Sequence, residues 1–471
     1  MSRDTGFRES VRRGDPAHFV GIGGAGMCAL AEAVVRGGGR VTGCDLRPGA
    51  SVRRLERMGV RVYTGHDPSH VEGAGIVVRS SAVPADHPEL AAAKDARIPV
   101  LKRAEALGSW VDGGRVVAVA GTHGKTTTTA MVTRVLEAAG LEPTGFVGGE
   151  VLGWESHLRP GGDELFVVEA DEYDRSFHHL HPSVAVVTNV EADHLDIYGS
   201  LEGVREAFRT FLGQVRPGGR VVACADDPGA AATVQGAGVP VVTYGFSAGS
   251  MIRARRLGWD EGRLRLRVQE AGGDQGDLSL SVPGDHNALN ALAAAAAARA
   301  LQVGWGDIRR GLEAFEGVHR RFHRLGSPAD ILVVDDYAHH PTELRAALAT
   351  ARDAFPHRRL VAVFQPHLFT RTRDFADGFG RALAAADQVW VTEVYPAREA
   401  PISGVDGALV ARAAEAAGAG DVRLHGELDS LPRALAESLQ PGDLCLTMGA
   451  GSIEAVGPAL VEILQREGSH E

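Results

Sequence analysis

Two glycine-rich segments, each lying between a short apolar run and a longer helical stretch, constrain the fold of this chain most. The first is Gly21–Gly26, after the apolar run Ala17–Gly21, and the second is Gly121–Thr127, after Arg115–Ala120. In a turn between a strand and a helix, glycines let backbone N–H groups approach phosphate oxygens at the helix N-terminus. Two such turns predict an α/β protein whose mainly parallel sheets are covered by helices.

The same alternation of short apolar runs and helical stretches continues along all 471 residues. At roughly 150 residues per domain, this length predicts about three domains. Polar turns near 111–114 and 317–319 indicate the two boundaries. Residues 250–281 are typical of a meander of short strands, and residues 286–301 of a long helix.

The composition excludes several classes of protein. Hydrophobic residues make up 44% and charged residues 23% of the chain, as in soluble globular proteins. Acidic residues number 60 against 49 basic ones, which disfavours binding to nucleic acid. The chain shows no signal-peptide core and no apolar run long enough to span a membrane, and its four cysteines are scattered. We therefore expect a cytoplasmic protein with no nucleic-acid or membrane partner.

The first glycine-rich segment fits the pattern G-x-G-x-x-G, which is typical of loops that bind a nucleotide diphosphate. Asp45 ends the next apolar run, 19 residues after Gly26 (45 − 26), where such folds place an acid that binds ribose. The pattern does not say which nucleotide is bound, and a tight turn without a ligand is the alternative.

The second segment, Gly121-Thr122-His123-Gly124-Lys125-Thr126-Thr127, resembles a phosphate-binding loop, although Val119 stands where the full pattern has glycine. Its backbone N–H groups would surround phosphates, Lys125 would reach the β and γ oxygens, and Thr126 would hold Mg²⁺. A turn without a ligand is the alternative, but lysine is scarce: the chain has three, of which Lys125 is the last.

Acidic and polar side chains follow the next two apolar runs. Glu169–Glu172 ends one run, and Thr188–Asp196 follows the other. Because Mg²⁺ prefers hard oxygen ligands, the carboxylates at the end of a strand beside the phosphate loop are candidates to hold it. His194 is either a second metal ligand or a structural residue.

Three later segments have the placement of site loops. Asn287 and Asn290 share one face of the long helix, unless Asp285 simply caps that helix. Asp335–Glu343 and Gln365–Arg373 each follow an apolar run, and their histidines and arginines suit carboxylate or phosphate recognition. Two nucleotide-type loops in one chain predict ATP chemistry on a substrate that itself carries a nucleotide diphosphate.

Together these motifs resemble those of the Mur ligases, the ATP-dependent amino-acid-adding enzymes of peptidoglycan synthesis. They occur in the family's order and cover nearly the whole chain. The matching segments are His18–Met27, Gly121–Thr128, Glu169–Phe177, Thr188–Asp196, Gly284–Asn290, Arg320–Phe322, Asp335–Glu343 and Gln365–Thr372.

The resemblance implies three α/β domains. A Rossmann-like UDP-binding domain is expected at 1–112, a central phosphate-loop ATPase domain with a mainly parallel sheet at 113–318, and a Rossmann-like domain that brings the amino acid at 319–471. The resemblance also implies the reaction: the lactyl carboxylate of UDP-N-acetylmuramate attacks the γ-phosphate of ATP, and an amine attacks the resulting acyl phosphate. ATP and Mg²⁺ are the expected cofactors.

The resemblance also implies a role for each matching residue. Lys125, Glu169, His194, Arg321 and Asp336 are expected to be catalytic, and Thr126, Glu169 and His194 to hold Mg²⁺. ATP is expected to contact Gly121, Thr122, His123, Gly124, Lys125, Thr126, Thr127, Asn287, Asn290, Arg321 and Asp336. The UDP-sugar is expected at Gly23, Gly24, Ala25, Gly26, Asp45, His66 and Ser81, and the amino acid at Tyr337, His339 and Arg371.

One departure from relatives favours a particular branch of the family. Several Mur ligases carry a lysine about fifteen residues after the metal histidine, carboxylated so that it helps to hold Mg²⁺, whereas arginine stays protonated and cannot take up CO₂ in this way. Arg209 stands at that position (194 + 15), and no lysine follows Lys125. The alanine-adding branch is therefore favoured, with L-alanine as the second substrate. Leu368 replaces a basic residue of some relatives, which leaves open how many cations hold the alanine carboxylate.

Three alternatives stay open. A recycling ligase that adds a murein tripeptide to UDP-N-acetylmuramate shares the N-terminal and ATP motifs and differs in the pocket of the third domain. A nucleotide-binding regulator without catalysis is disfavoured by the intact set Lys125, Glu169 and His194, and an NAD-dependent dehydrogenase is disfavoured by the second phosphate loop. We expect a monomer or a weak homodimer.

Overall fold

The structure is a computed structural model that describes residues 6–468 except 48, 261 and 398. Its strands form three sheets. The chain divides into two compact units, which are described separately. The first unit comprises 1–257, 266–279 and 289–315, and the second comprises 258–265, 280–288 and 316–471.

The first sheet has five parallel strands in the order β3-β2-β1-β4-β5. Phe19 and Val78 enter one apolar cluster while their neighbours Val20 and Val77 enter another, so both faces of the sheet are covered. The strands are β1 (Ala17–Val20), β2 (Val41–Asp45), β3 (Arg61–Thr64), β4 (Ile76–Arg79) and β5 (Val100–Lys102). The helices are α1 (Phe7–Arg12), α2 (Ala25–Arg36), α3 (Ala50–Arg57), α4 (Pro88–Asp95) and α5 (Arg103–Val111), and a 3₁₀ turn spans Pro68–Val71.

The second sheet has ten strands in the order β15-β14-β13-β12-β11-β10-β6-β9-β7-β8. Strand β6 lies between β10 and β9 and is parallel to both, so the carboxyl ends of these three strands share one edge of the sheet. The strands are β6 (Arg115–Ala120), β7 (Thr144–Phe146), β8 (Leu158–Arg159), β9 (Leu165–Glu169), β10 (Val184–Val187), β11 (Arg220–Cys224), β12 (Val241–Gly245), β13 (Ile252–Asp260), β14 (Arg263–Glu270) and β15 (Gly273–Leu280).

The helices that follow these strands differ in how they are buried. Helix α8 is amphipathic, whereas residues 291–298 of α10, seven alanines and one leucine, are buried on every side. The helices are α6 (Lys125–Ala138), α7 (Leu195–Tyr198), α8 (Leu201–Leu212), α9 (Pro228–Thr233), α10 (Asp285–Ala300) and α11 (Trp305–Glu313), and a 3₁₀ segment spans Tyr173–His179.

The third sheet lies in the second unit and has six strands in the order β16-β17-β21-β18-β19-β20. All neighbours are parallel except the edge pair β16 and β17. The strands are β16 (His323–Gly326), β17 (Leu332–Asp336), β18 (Arg359–Phe364), β19 (Gln388–Val391), β20 (Val422–Leu424) and β21 (Asp443–Met448). The helices are α12 (Pro341–Ala354), α13 (Phe369–Leu383), α14 (Gly407–Ala416), α15 (Leu431–Ser438) and α16 (Val456–Gly468), and 3₁₀ turns span Pro328–Asp330 and Ser452–Ala455.

The α/β class, the mainly parallel central sheet and the three-domain architecture are confirmed, and β6, β9, the meander and the long helix lie where the sequence predicts them. The sequence analysis does not predict β3, β5, β7, β8, β11, β12, β16 and β20. Of these, β3, β5 and β20 have three or four residues, lie at sheet edges and are partly exposed, so they carry little pattern. The domain boundaries after 112 and 318 stay predictions. Within the described residues, no helix is long and apolar enough to cross a membrane.

Gly108 of α5 packs directly on the 3₁₀ segment: a Cβ built at Gly108 would lie 2.1 Å from the carbonyl oxygen of His179. We expect Gly108→Ala to lower the free energy of unfolding by about 1–3 kcal/mol, because backbone must move to make room. Urea unfolding followed by circular dichroism measures this loss. Gly306→Ala in α11 is the control, since its Cβ would approach only the end of Arg310, at 4.0 Å. Equal losses in the two variants would contradict the packing argument.

Candidate active site

The loop between β6 and α6 has the geometry of a phosphate-binding loop. Gly124 has a φ of 82°, a left-handed value that favours glycine, and a Cβ there would lie 2.5 Å from Asn290 Oδ1. Helix α6 begins at Lys125, so its unpaired N–H groups and the positive end of its dipole lie at the loop. This arrangement suits an anion such as a phosphate.

The segment that follows β10 braces this loop. Thr188 Oγ1 donates to the carbonyl oxygen of His123 at 2.6 Å, and Asn189 Oδ1 accepts the His123 N–H at 2.7 Å. The N–H of Glu191 donates to Thr122 Oγ1 at 2.9 Å. The loop therefore keeps its shape through hydrogen bonds to a neighbouring strand end as well as through its own glycines.

Lys125 is engaged by a carboxylate that the sequence analysis did not single out. Its Nζ lies 2.8 Å from Glu172 Oε2 and donates to the carbonyl oxygen of Gly121 at 2.6 Å. Burial acts to lower the pKa of Lys125, but the charges of Glu172 and Asp171 outweigh it and raise that pKa. The Tyr198 hydroxyl donates to the Glu172 carbonyl oxygen and so fixes the backbone of this acid. Lys125 is thus a charged lysine held in place at the loop.

Glu169 and Thr126 meet beside the loop. Thr126 Oγ1 donates to Glu169 Oε1 at 3.1 Å, and Glu169 Oε2 accepts the Gly148 N–H at 2.6 Å. A hydroxyl and a carboxylate at this spacing are hard oxygen donors, and the pair leaves further coordination positions to phosphate oxygens and water. These two residues therefore fit a magnesium ion.

His194 lies at the start of α7 with a left-handed φ of 51°. Its Nε2 is 4.0 Å from Glu172 Oε1 and 3.8 Å from Asp193 Oδ2, and its ring packs edge-on against Tyr173. A non-glycine residue in this conformation is uncommon and is held by its surroundings. The fold therefore brings His194 to the same acidic group that engages Lys125.

The residues expected at the UDP-sugar lie along the carboxyl edge of the first sheet. Asp45 Oδ2 accepts the Gly23 N–H at 2.9 Å, and Gly24 caps α2, which begins at Ala25. His66 follows β3, the neighbour of β2. Gly26 lies in the first turn of α2, and Ser81 is exposed in the turn after β4.

In the second unit, Asp336 ends β17 and holds two backbone segments. Its Oδ2 accepts the Phe322 N–H at 2.7 Å, and its Oδ1 accepts the Ala338 N–H at 2.8 Å. Burial raises the pKa of Asp336 to about 6, although the charge of Arg321 opposes this rise. Asp336 therefore fixes the two turns that carry Arg321 and Tyr337.

Glu343, the last residue of the segment Asp335–Glu343, links two expected site residues. Its Oε1 lies 3.8 Å from Arg321 Nη1, and its Oε2 accepts the His339 N–H at 2.9 Å. The Arg321 guanidinium carbon lies 5.1 Å from the centre of the Tyr337 ring, within range of a cation–π interaction. Glu343 also caps α12, so the helix start and the site share one carboxylate.

His339, His367 and Arg371 form a second group in this unit. The ring centres of His339 and His367 are 6.1 Å apart, and His367 stacks on Tyr395. Burial, helped by His339 and Arg371, lowers the pKa of His367 to about 4, so this ring is neutral at pH 7. An arginine beside neutral imidazoles suits a small carboxylate ligand.

The two asparagines of α10 have different partners. Asn290 Oδ1 accepts a hydrogen bond from Thr128 Oγ1 at 3.1 Å, beside the phosphate loop. Asn287 Nδ2 donates to the carbonyl oxygen of Pro283 at 2.7 Å, in the turn before the helix. This contact supports a structural role for Asn287 at the helix start, and its contact with ATP stays a prediction.

The first unit thus brings together Lys125, Thr126, Glu169, His194 and Asn290, and the second brings together Arg321, Asp336, Tyr337, His339 and Arg371. The sequence analysis includes Glu172, Thr188 and Asn189 in its two polar segments, but it predicts neither the contact of Glu172 with Lys125 nor the bracing of the loop by Thr188 and Asn189. A signal for them exists, since Glu172 lies within the acidic segment after β9 and the Thr-Asn pair directly follows β10.

A lysine, a threonine hydroxyl and a carboxylate at a strand–loop–helix turn, in a chain with a second glycine-rich nucleotide loop, define a nucleotide-dependent α/β enzyme. Three family models match successive parts of the chain. They are the Mur ligase family, catalytic domain, at residues 16–115, the Mur ligase middle domain at 119–298, and the Mur ligase, glutamate ligase domain, at 320–451. The chain belongs to the Mur ligase family.

Similar proteins extend over the whole chain. A UDP-N-acetylmuramate–L-alanine ligase of Kineococcus radiotolerans is 47% identical over 97% of this chain and 98% of its own length. The solved UDP-N-acetylmuramate-alanine ligase of Thermotoga maritima is 31% identical, with a TM-score of 0.82 over 96% of this chain and 100% of that one. A murein peptide ligase of Psychrobacter arcticus is 25% identical, with a TM-score of 0.71 over 96% of this chain and 99% of that one.

His286 supplies a pH test of the second unit. Burial, then the charge of Arg321, lowers its pKa to about 4. Between pH 6.5 and about 4, His286 is protonated in the unfolded chain but stays neutral in the folded chain. The free energy of unfolding therefore falls as the pH falls. From pH 7 to pH 5, we expect the free energy of unfolding to fall by about 2 kcal/mol less in His286→Gln than in the wild type. Denaturant unfolding at both pH values measures it. The exposed His357→Gln should leave the fall unchanged, and equal behaviour of the two variants would contradict the assignment.

Proposed function

We propose that this chain joins L-alanine to the lactyl carboxylate of UDP-N-acetylmuramate, with conversion of ATP to ADP and phosphate, in cytoplasmic peptidoglycan precursor synthesis. The observation that carries the proposal is the 47% identity, over 97% of the chain, to a relative with that activity in its name. The phosphate-loop group of Lys125, Thr126 and Glu169 supplies the chemistry that such a ligation needs.

Lys125 is assigned to the transferring phosphoryl group. Phosphoryl transfer depends on positioning and on cations that stabilise charge, with little covalent help from the protein. Lys125 lies at the start of α6, where a phosphate would also meet the N–H groups of the helix. In this assignment the phosphate oxygens replace Glu172 as the partner of Nζ, and the bracing by Thr188 and Asn189 keeps the loop in position.

Thr126 and Glu169 are assigned to a magnesium ion, since their oxygens are at hydrogen-bond distance and suit that ion. When bound, the ion would reduce the negative charge of the phosphates. His194 is assigned to a second ion, because its Nε2 lies near the carboxylates of Glu172 and Asp193.

The UDP-sugar is assigned to the carboxyl edge of the first sheet. The glycine loop before α2 would bind the diphosphate, and Asp45 would bind the ribose. His66 and Ser81, at the same edge, would also contact the UDP-sugar. The position of Asp45 on the Gly23 N–H supports this assignment, since it places the acid directly beside the loop.

Alanine is assigned to the second unit. Arg371 is placed to pair with its carboxylate, beside Tyr337 and His339. His367 supports the assignment: its Nδ1 is buried and has no hydrogen-bond partner within the described part of the chain, so a ligand amine or water can bind there.

The rival is a ligase that accepts a whole murein tripeptide, and acceptor competition tests the two. The protein receives ATP, UDP-N-acetylmuramate and equal amounts of L-alanine and L-Ala-γ-D-Glu-diaminopimelate, and mass spectrometry identifies the UDP product. We expect the alanine adduct to dominate. Serine or glycine should react more slowly, because one methyl group in a pocket discriminates by only about 10- to 200-fold. A dominant tripeptide adduct would show that the rival assignment is right.

The metal assignment of His194 is tested by the magnesium dependence of the rate. We expect His194→Ala to raise the Mg²⁺ concentration for half-maximal activity at least about tenfold, as loss of a group that supports a metal site does. Chelator should abolish wild-type activity, and added Mg²⁺ should restore it. The matched control is His181→Ala, a half-exposed histidine of the same domain that lies against Asp112. An unchanged magnesium dependence in His194→Ala would mean that His194 is only structural.

A further inference from the structure

Glu89, in the first turn of α4, is a buried carboxylate that no assigned role uses. Its side chain has 0% exposure. Oε1 accepts the Asp67 N–H at 3.0 Å and lies 3.0 Å from His70 Nδ1. Oε2 accepts from Cys44 Sγ at 2.9 Å and lies 3.3 Å from His18 Nε2. These four partners and His66 come from β1, β2, the segment after β3 and the 3₁₀ turn, so Glu89 connects several elements of the first sheet domain.

Glu89 is ionised despite its burial. Burial acts to raise its pKa, but the hydrogen bonds from His18, Cys44 and His70 outweigh it and lower the pKa to about 2. A carboxylate accepts hydrogen bonds and donates none. His18 Nε2, which meets only Glu89, therefore carries a proton, whereas His70 Nδ1 lies between Glu89 and the Asp67 N–H, which donates to it at 3.3 Å.

This rule orients His66. Its Nδ1 lies 3.2 Å from Cys44 Sγ and 3.4 Å from Glu89 Oε1. Because the Cys44 thiol donates its proton to Glu89, the sulfur can only accept from His66, so Nδ1 holds the proton. In a neutral imidazole the other nitrogen, Nε2, is then a bare acceptor. Nε2 has no hydrogen-bond partner among the described residues, and 19% of the side chain is exposed. His66 follows β3 beside Asp45, whose carbonyl oxygen accepts the Gly65 N–H at 2.9 Å.

We propose that Glu89 is a positioning residue of the UDP-sugar site, which holds His66 with Nδ1 inward and Nε2 presented as an acceptor to a hydroxyl or imide N–H of the nucleoside. The inference rests on the proposed function, which places the UDP-sugar at this edge. An acceptor at this point selects for a nucleoside group that donates a hydrogen bond and against a phosphate oxygen.

The cluster around Glu89 contains residue types that bind metals, but its atoms are already hydrogen-bonded to one another. His18 Nε2, Cys44 Sγ and a Glu89 oxygen lie within 4.8 Å of one another, which is close enough for three ligands. However, burial and Glu89 raise the pKa of the Cys44 thiol far above its usual range, so the sulfur keeps its proton and donates it to the carboxylate. His18 Nδ1 lies 2.9 Å from Thr42 Oγ1, so both nitrogens of that ring are also partnered.

A double-mutant cycle of Glu89→Gln and His66→Ala tests whether Glu89 acts through His66. Each single variant should raise the KM for UDP-N-acetylmuramate about 5- to 100-fold, as expected when a nucleoside donor loses its acceptor and is left without a partner. The kcat and the KM for ATP and alanine should change by no more than about twofold. The double variant should show no further rise, because Glu89 has nothing left to position. Fully additive rises would overturn the proposal.

The control is Glu32→Gln, another buried carboxylate of the first sheet domain, whose partners are Arg36 and Arg54. If loss of a buried charge merely loosens the domain, Glu32→Gln will raise the same KM. We expect it to leave that KM near the wild-type value, and a rise equal to that of Glu89→Gln would overturn the proposal.

A measurement on the unaltered protein keeps the proposal testable if Glu89→Gln does not fold. Nitrogen NMR of labelled histidine should show His66 protonated at Nδ1 and bare at Nε2, and the opposite tautomer would overturn the proposal. One equivalent of tightly bound zinc in the purified protein would also overturn it, because the cluster would then be a metal site. If the wild-type protein forms no ADP in response to the UDP-sugar, the proposed function is contradicted instead. The tautomer measurement would then still test the orientation of His66.

Discussion

The parallel pairing of β6 with β9 on one side and β10 on the other is the constraint on which the proposed phosphate site depends. Parallel neighbours end at the same edge of a sheet, so the loop after β6 meets the acids after β9 and the polar segment after β10. Lys125, Glu172 and Asn189 are far apart in the chain, and only this strand order brings them together. The same rule places Asp45 and His66 together at the edge of the first sheet.

The sequence predicts those parts of the fold and site that depend on local pattern. Lys125 and Thr126 are recognisable because a glycine-rich turn after an apolar run has few other uses. Glu169 is recognisable because it ends such a run. The long helix is recognisable from its alanine-rich composition, and the short edge strands are not, since half-exposed strands of three or four residues carry little pattern.

The partners of these residues could not be predicted, because they depend on distances across the sheet. Nothing local distinguishes Glu172, which binds Lys125, from Asp171 beside it. No local pattern marks Glu89, yet the fold buries it among histidines and a cysteine. Cys44 is one of four scattered cysteines, and nothing in the sequence indicates that its thiol is buried and donates a hydrogen bond to Glu89.

The contact between Lys125 and Glu172 affects the charge of the loop before any ligand binds. A lone ammonium at a glycine-rich turn would repel the positive end of α6 and favour an open loop. Lys125 already has Glu172 as a partner, so under the proposed function entry of a phosphate would exchange one partner of Nζ for another. The same carboxylate lies 4.0 Å from His194 Nε2, so the two proposed sites share one acidic group. Assembly of the loop and binding of its ligand are thereby separate events.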